Sequence, residues 1–177
     1  MHDMPRVFSD LEEAQGYWSL VQKNMVQYMP FLGATTRQLA LPRARSEAEV
    51  EAKLTSVRQN PKMASFIADS KYWIQRWIEA YEPLYQSFVR NADQEPQPYL
   101  NAINLRIEYL VLHIYTTVPR YSGLITARGL TPQYREINVL AETLLRARPN
   151  CGFAMDSGWT WPLFISAFGC RDPAVRA

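Results

Sequence analysis

Cysteine, histidine and glycine are scarce in this chain of 177 residues, which has two, two and seven of them. Cys151 and Cys170 cannot build a disulfide framework, and His2 and His113 stand at no ligand spacing around them, so a structural zinc site is excluded. Both cysteines read as reduced thiols of an intracellular protein, cytoplasmic or nuclear. So few glycines, with no run in which apolar and polar residues alternate, argue against a large sheet. No uncharged apolar stretch approaches the ~18 residues of a membrane span. The opening "MHDMPRVFSDLEEAQ" is polar where a signal peptide is apolar. Charge of one sign is also lacking: a net +2 is too small to imply nucleic acid or an anionic membrane as partner.

What is present points to helices. Hydrophobic residues make up 47% of the chain and aromatics 12%, enough to exclude disorder and to fill the core of one domain over 1–177. "SDLE" at Ser9 to Glu12 has the form of a capping box and opens a helix with Leu11, Ala14, Trp18, Val21, Met25 and Tyr28 on one face. "SEAE" at Ser46 to Glu49 opens a second, more polar helix carrying Val50, Leu54 and Val57. Pro61 permits a third start, and Phe66, Trp73, Trp77 and Tyr81 follow at helical spacing, with Ile67, Ile74 and Ile78 beside them. Pro83 is expected to kink or break this element near Ala80. The linker "NADQEPQP" ends at Pro98, which can begin the next helix. That helix, about Tyr99 to Thr117, is apolar nearly all round and therefore central. Thr131 and Pro132 start another, with Ile137, Leu140, Ala141 and Leu144 on its inner face. Asp172 and Pro173 form a further N-cap and N1 pair. The expected fold is all-α, an irregular bundle of about six or seven helices around a central apolar helix.

Catalytic signatures are missing: no GxSxG elbow, no phosphate-cradling glycine loop, no HExxH and no carboxylate cluster. The residues with chemical potential are few. His113 lies in the apolar helix with Tyr109 one turn before it, and can serve as hydrogen-bond donor, acid or base, or as a core histidine. Arg106, in the same helix, requires a partner, either an acidic residue of a neighbouring helix or the carbonyl or carboxylate of a ligand. Trp73 and Trp77, one turn apart, and Trp159 and Trp161 can line a pocket for an apolar ligand or fill the core. Asp156 reads as the cap of the "SGWTWP" turn. No metal and no cofactor is called for.

The ending "FAMDSGWTWPLFISAFGCRDPAVR" resembles a signature in the fungal-specific regulatory domain of zinc-cluster transcription factors. The residues that carry it are Phe153, Asp156, Gly158, Pro162, Leu163, Phe164, Cys170, Arg171, Asp172, Pro173 and Arg176. "PRVFSDLEEAQGYW" and "RWIEAYEPLYQSF" are similar to other segments of that domain, while the cysteine-rich zinc cluster that reads DNA in the family has no counterpart here. The resemblance implies an all-α regulatory module without direct DNA contact. Its expected partner is a hydrophobic small molecule, bound near Trp73, Trp77, Tyr109, His113, Trp159 and Trp161. An alternative is a cofactor-independent cyclase of Diels–Alderase type acting on a terpenoid or polyketide, with His113 and Arg106 as catalytic donors. A second alternative is a dimerisation or co-regulator module. The family continues with more helices beyond "CRDP"; the corresponding expectation is an open apolar surface there, closed by a ligand or by the second subunit of a homodimer.

Overall fold

The computed structural model describes residues 3–26, 28, 30–31, 34, 37–38, 45–117, 129–147, 160–170 and 172–176. Its fold is all-α: every regular element among the described residues is a helix. In chain order these are α1 (Leu11–Val26), α2 (Glu47–Arg58), α3 (Pro61–Arg90), α4 (Pro96–Thr117), α5 (Thr131–Ala147), α6 (Thr160–Gly169) and α7 (Pro173–Arg176).

The helix starts are built by side chains that accept orphan amides, as the sequence indicates, but the first box sits one residue later than expected. Asp10 Oδ1, not Ser9, accepts from the Glu13 amide at 2.8 Å, and Glu13 rather than Glu12 reaches back, taking the Ser9 amide at 2.8 Å and its hydroxyl at 2.9 Å. The reason is steric order: with Leu11 as the first helical residue, the third helical position falls on Glu13. At α2, Ser46 Oγ accepts from the Glu49 amide, and the Glu49 carboxylate takes the Arg45 amide at 2.8 Å and pairs with Lys53. Asn60, in extended conformation, accepts from the amides of Lys62 and Met63, and Pro61 fills a position where no amide hydrogen is needed. Asp172 Oδ1 likewise accepts from the Ala174 amide at 2.9 Å, so the short α7 is properly capped.

Pro83 does not break its helix. α3 runs unbroken from Pro61 to Arg90, with Pro83 on its exposed side. A mid-helix proline costs about 3 kcal/mol or more. Burial of Trp77, Ala80 and Tyr81 before it and Tyr85 after it holds both halves on the same core and outweighs that cost.

Contacts along the chain show how the long helices run. Trp77 Nε1 of α3 donates to the Ala14 carbonyl of α1 at 2.9 Å, while Phe66 near the start of α3 meets Tyr28 just beyond α1. Those two helices are antiparallel. Tyr81 Oη donates to the Ala102 carbonyl early in α4, and Trp77 stacks on Tyr109 further along, so α3 and α4 are antiparallel too. α4 touches α3, α5 and α6, and Trp18 of α1 reaches its Glu108 at 2.8 Å. Ala102, Ile103, Leu105, Ile107, Leu110 and Ile114 are all buried, so α4 is the central helix the sequence indicates. Val50 packs from α2 against the same cluster of buried residues; the Leu54 and Val57 side chains lie outside the described residues. α6 comes close to α5 through Gly169, where a Cβ would stand 2.6 Å from the Tyr134 hydroxyl.

Candidate functional site

The described aromatic residues among those offered by the sequence as pocket lining divide between core and surface. Trp77 is 0% exposed, and its ring packs against Trp18 and Tyr81 at 4.6 Å and against Phe8 and Tyr109 at 6.0 Å between centroids. Trp77 is not among the lining residues of either groove described below. Tyr109 belongs to the same stack and is buried, with the His113 ring 5.7 Å further along α4. Trp73 is half-buried, away from that stack, in an edge-to-face contact with Tyr72 at 4.9 Å. Trp159, Asp156 and Cys151 lie outside the described residues, and so does the side chain of Trp161. Cys170 is a buried free thiol.

Arg106 takes the structural option of its two expected roles. Its Nη1 donates to Glu82 Oε2 of α3 at 2.7 Å, its Nε donates to Glu136 Oε1 of α5, and its guanidinium lies 4.5 Å above the Tyr85 ring. The arginine side chain is only 15% exposed, so α4 places a cation between two helices that each supply one carboxylate. Burial alone disfavours its charge, but the hydrogen bonds it donates to Glu82 and Glu136, with the charges of both carboxylates, outweigh that and hold its pKa above the usual value. Burial pushes the Tyr85 phenol up to about 12, against the pull of the Arg106 charge. Arg106 is thus bound on both accessible edges of its guanidinium.

One consequence concerns acid. Burial raises the pKa of the Glu82 carboxyl, yet the hydrogen bonds from Gln86 and Arg106 and the Arg106 charge win, and the net displacement is downward from 4.5. A carboxyl with a depressed folded-state pKa adds stability that is present above its unfolded value and disappears as pH falls through the folded one. Denaturant midpoints measured across this range are therefore expected to fall below pH 4.5 in the wild type, and Arg106→Ala is expected to flatten that decline. A pH-independent midpoint down to pH 3 would contradict the assignment.

His113 is where the fold leaves room. A groove of about 580 Å³ runs along the outer side of α3 to α4, lined by Lys71, Tyr72, Ile74, Gln75, Arg76, Glu79, His113 and Thr116. Its residues span Lys71 to Glu79 on α3, about 12 Å at 1.5 Å per residue. Ile74 is almost fully buried and gives the groove an apolar floor, while Tyr72 is 56% exposed. Thr116 turns its hydroxyl back to the carbonyls of Leu112 and His113, both at 3.0 Å, so its methyl is the part left for contact. Burial, and then the neighbouring Lys71 charge, hold the His113 imidazole below its ordinary pKa, so at neutral pH it is an uncharged ring with one N–H donor.

Of the sequence candidates among the described residues, the groove contains His113 alone. Trp77, Tyr109 and Arg106 lie in or against the core. Lys71, Tyr72, Gln75, Arg76, Glu79 and Thr116 carry no sequence signal, because charged and amide residues on a helix's outer side read as a solvated face. A second, smaller groove of about 310 Å³ lies between α1 and α4, where Gln15, Asn101, Asn104 and Glu108 meet. No group of His, Cys, Asp or Glu among the described residues is arranged to hold a metal ion, and no helix among them is long and apolar enough to cross a membrane. No family model matches the chain, and no curated protein and no solved structure matches it either.

Proposed function

We propose that this chain is a helical binding module, of the kind its sequence resembles in the regulatory domain of zinc-cluster transcription factors, and that it binds an apolar small molecule in the groove between α3 and α4. The observation that carries the reading is the contrast between a buried stack of aromatic rings and a groove of about 580 Å³ with an apolar floor and a half-buried, uncharged histidine in its wall. That volume falls in the range of small-molecule sites, and a few polar groups around an apolar surface are their usual lining.

The placement of Arg106 favours a binder over a cyclase. A pericyclic catalyst requires donors aimed at the carbonyl of a held substrate. Arg106 gives its donors to Glu82 and Glu136 and is not among the groove residues, which leaves His113 as the one sequence-nominated donor there.

Calorimetric titration of the wild type and of Gln75→Trp with straight-chain apolar probes tests the reading. Gln75 is exposed and bonds only Glu79 in an i,i+4 contact, so the indole occupies the groove at little cost to the fold. Saturable binding to the wild type, weakened at least about tenfold in Gln75→Trp, is expected, with the probe recovered unchanged. Equal affinity in both proteins would remove the groove from the account.

A further inference from the structure

The groove is not electrically neutral along its length. Lys71 and Arg76 both line it, and neither pairs with a carboxylate among the described residues. Arg76 donates Nη2 to the Met4 carbonyl at 3.3 Å, a neutral acceptor that leaves its charge uncompensated. The one acidic residue among the described lining, Glu79, accepts from Gln75 Nε2 at 2.9 Å, a neutral donor that leaves its charge in place, so two cations and one carboxylate give the lining a net positive charge. The ion pairs of α2 and α5 among the described residues lie elsewhere: Glu49 with Lys53, Glu136 with Arg106, Arg135 with Asp172 and Glu142 with Arg146. The floor between these cations is Ile74 and the ring of Tyr72.

We infer that the ligand of this groove is a carboxylic acid with an apolar body, its carboxylate held by Lys71 and Arg76 and its hydrocarbon laid over Ile74 and Tyr72. The inference rests on the groove being a ligand site, and adds the class of ligand it takes. Charge complementarity selects the anion: two unpaired cations at the edge of a partly desolvated apolar surface form charge-assisted hydrogen bonds to a carboxylate that a neutral headgroup cannot match. A cationic headgroup meets repulsion at the same place. The His113 N–H supplies a neutral donor to a carboxylate oxygen without adding to that charge. Burial first, and then the charge of Lys71, lower the His113 pKa, and a bound anion relieves the second of these.

The test compares decanoate, 1-decanol and decyltrimethylammonium, three probes with one hydrocarbon chain and different headgroups. The intrinsic fluorescence of Trp73, in contact with the groove residue Tyr72, reads their binding. Decanoate is expected to bind about tenfold or more tighter than decanol, and the ammonium most weakly. Lys71→Met and Arg76→Gln are each expected to reduce that preference; Arg76→Gln retains a donor for the Met4 carbonyl. Decanol binding as well as decanoate would overturn the carboxylate assignment while leaving the groove as a binding site. Failure of all three to bind would overturn the groove itself, and the carboxylate with it.

Discussion

Trp77→Ala is expected to destabilise the protein by about 4 kcal/mol or more, the upper part of the range for deleting a buried aromatic. Trp77 is fully enclosed and, among the described residues, is the one ring that touches Phe8, Trp18, Tyr81 and Tyr109 together. Its removal opens a cavity at the junction of α1, α3 and α4, and takes away the Nε1 bond to the Ala14 carbonyl. At about 2–4 °C per kcal/mol for a chain of this size, Tm falls by about 8–16 °C. Trp77→Phe restores most of the contact area and is expected to cost about half as much. The Ala14 carbonyl keeps its partner within α1, so loss of the indole donor leaves no orphan acceptor. A change in Tm of a degree or two for Trp77→Ala would show that this residue faces a space other than the core, such as a ligand pocket.

Arg106→Ala is the second large effect. It leaves Glu82 and Glu136 facing each other without their shared cation, and strips the stacking surface from Tyr85. Breaking a fully buried ion pair costs about 3–5 kcal/mol. Here the two carboxylate side chains are 40% and 36% exposed, so water offsets part of the loss and about 2–3 kcal/mol is expected. The combination Arg106→Met, Glu82→Gln, Glu136→Gln is expected to recover most of it, because no charge is then left without a partner. Thermal denaturation of the single and triple variants separates this account from a ligand-gripping arginine. A gripping role predicts near-normal stability in Arg106→Ala and no rescue by the triple substitution.

Much of the fold is legible in the residues. Apolar groups on nearly every side of the segment from Tyr99 to Thr117 mark the central helix, and Ser, Asp and Asn before periodic runs mark the starts. What escapes the pattern has physical causes. The buried row of α3 passes through Ser70, which is 1% exposed and whose hydroxyl has no partner among the described residues. Because serine is not apolar, the spacing instead draws in Trp73, which lies half-buried beside that row. Pro83 reads as a break because its cost is local and visible, whereas the aromatic packing that offsets it comes from other helices.

The candidate site is less legible than the fold. The sequence singles out Arg106 for needing a partner, but cannot say that α3 and α5 each bring a glutamate to it. His113 stands out for the same reason, an ionisable group in an apolar helix, and it borders the larger of the two grooves described. The other side of the groove is made by an outer helix face whose residues acquire meaning only when the antiparallel pairing of α3 and α4 sets Lys71 and Ile74 beside His113 and Thr116.

The central claim is that a ligand enters this groove and not the aromatic core. It is tested most directly by NMR of the isoleucine-methyl- and histidine-labelled protein titrated with decanoate. The account predicts saturable shifts of the Ile74 methyl and the His113 ring, with Ile103 and Ile137 of the core unmoved. Absence of shifts at Ile74 and His113, or larger shifts at Ile103 and Ile137, would contradict it.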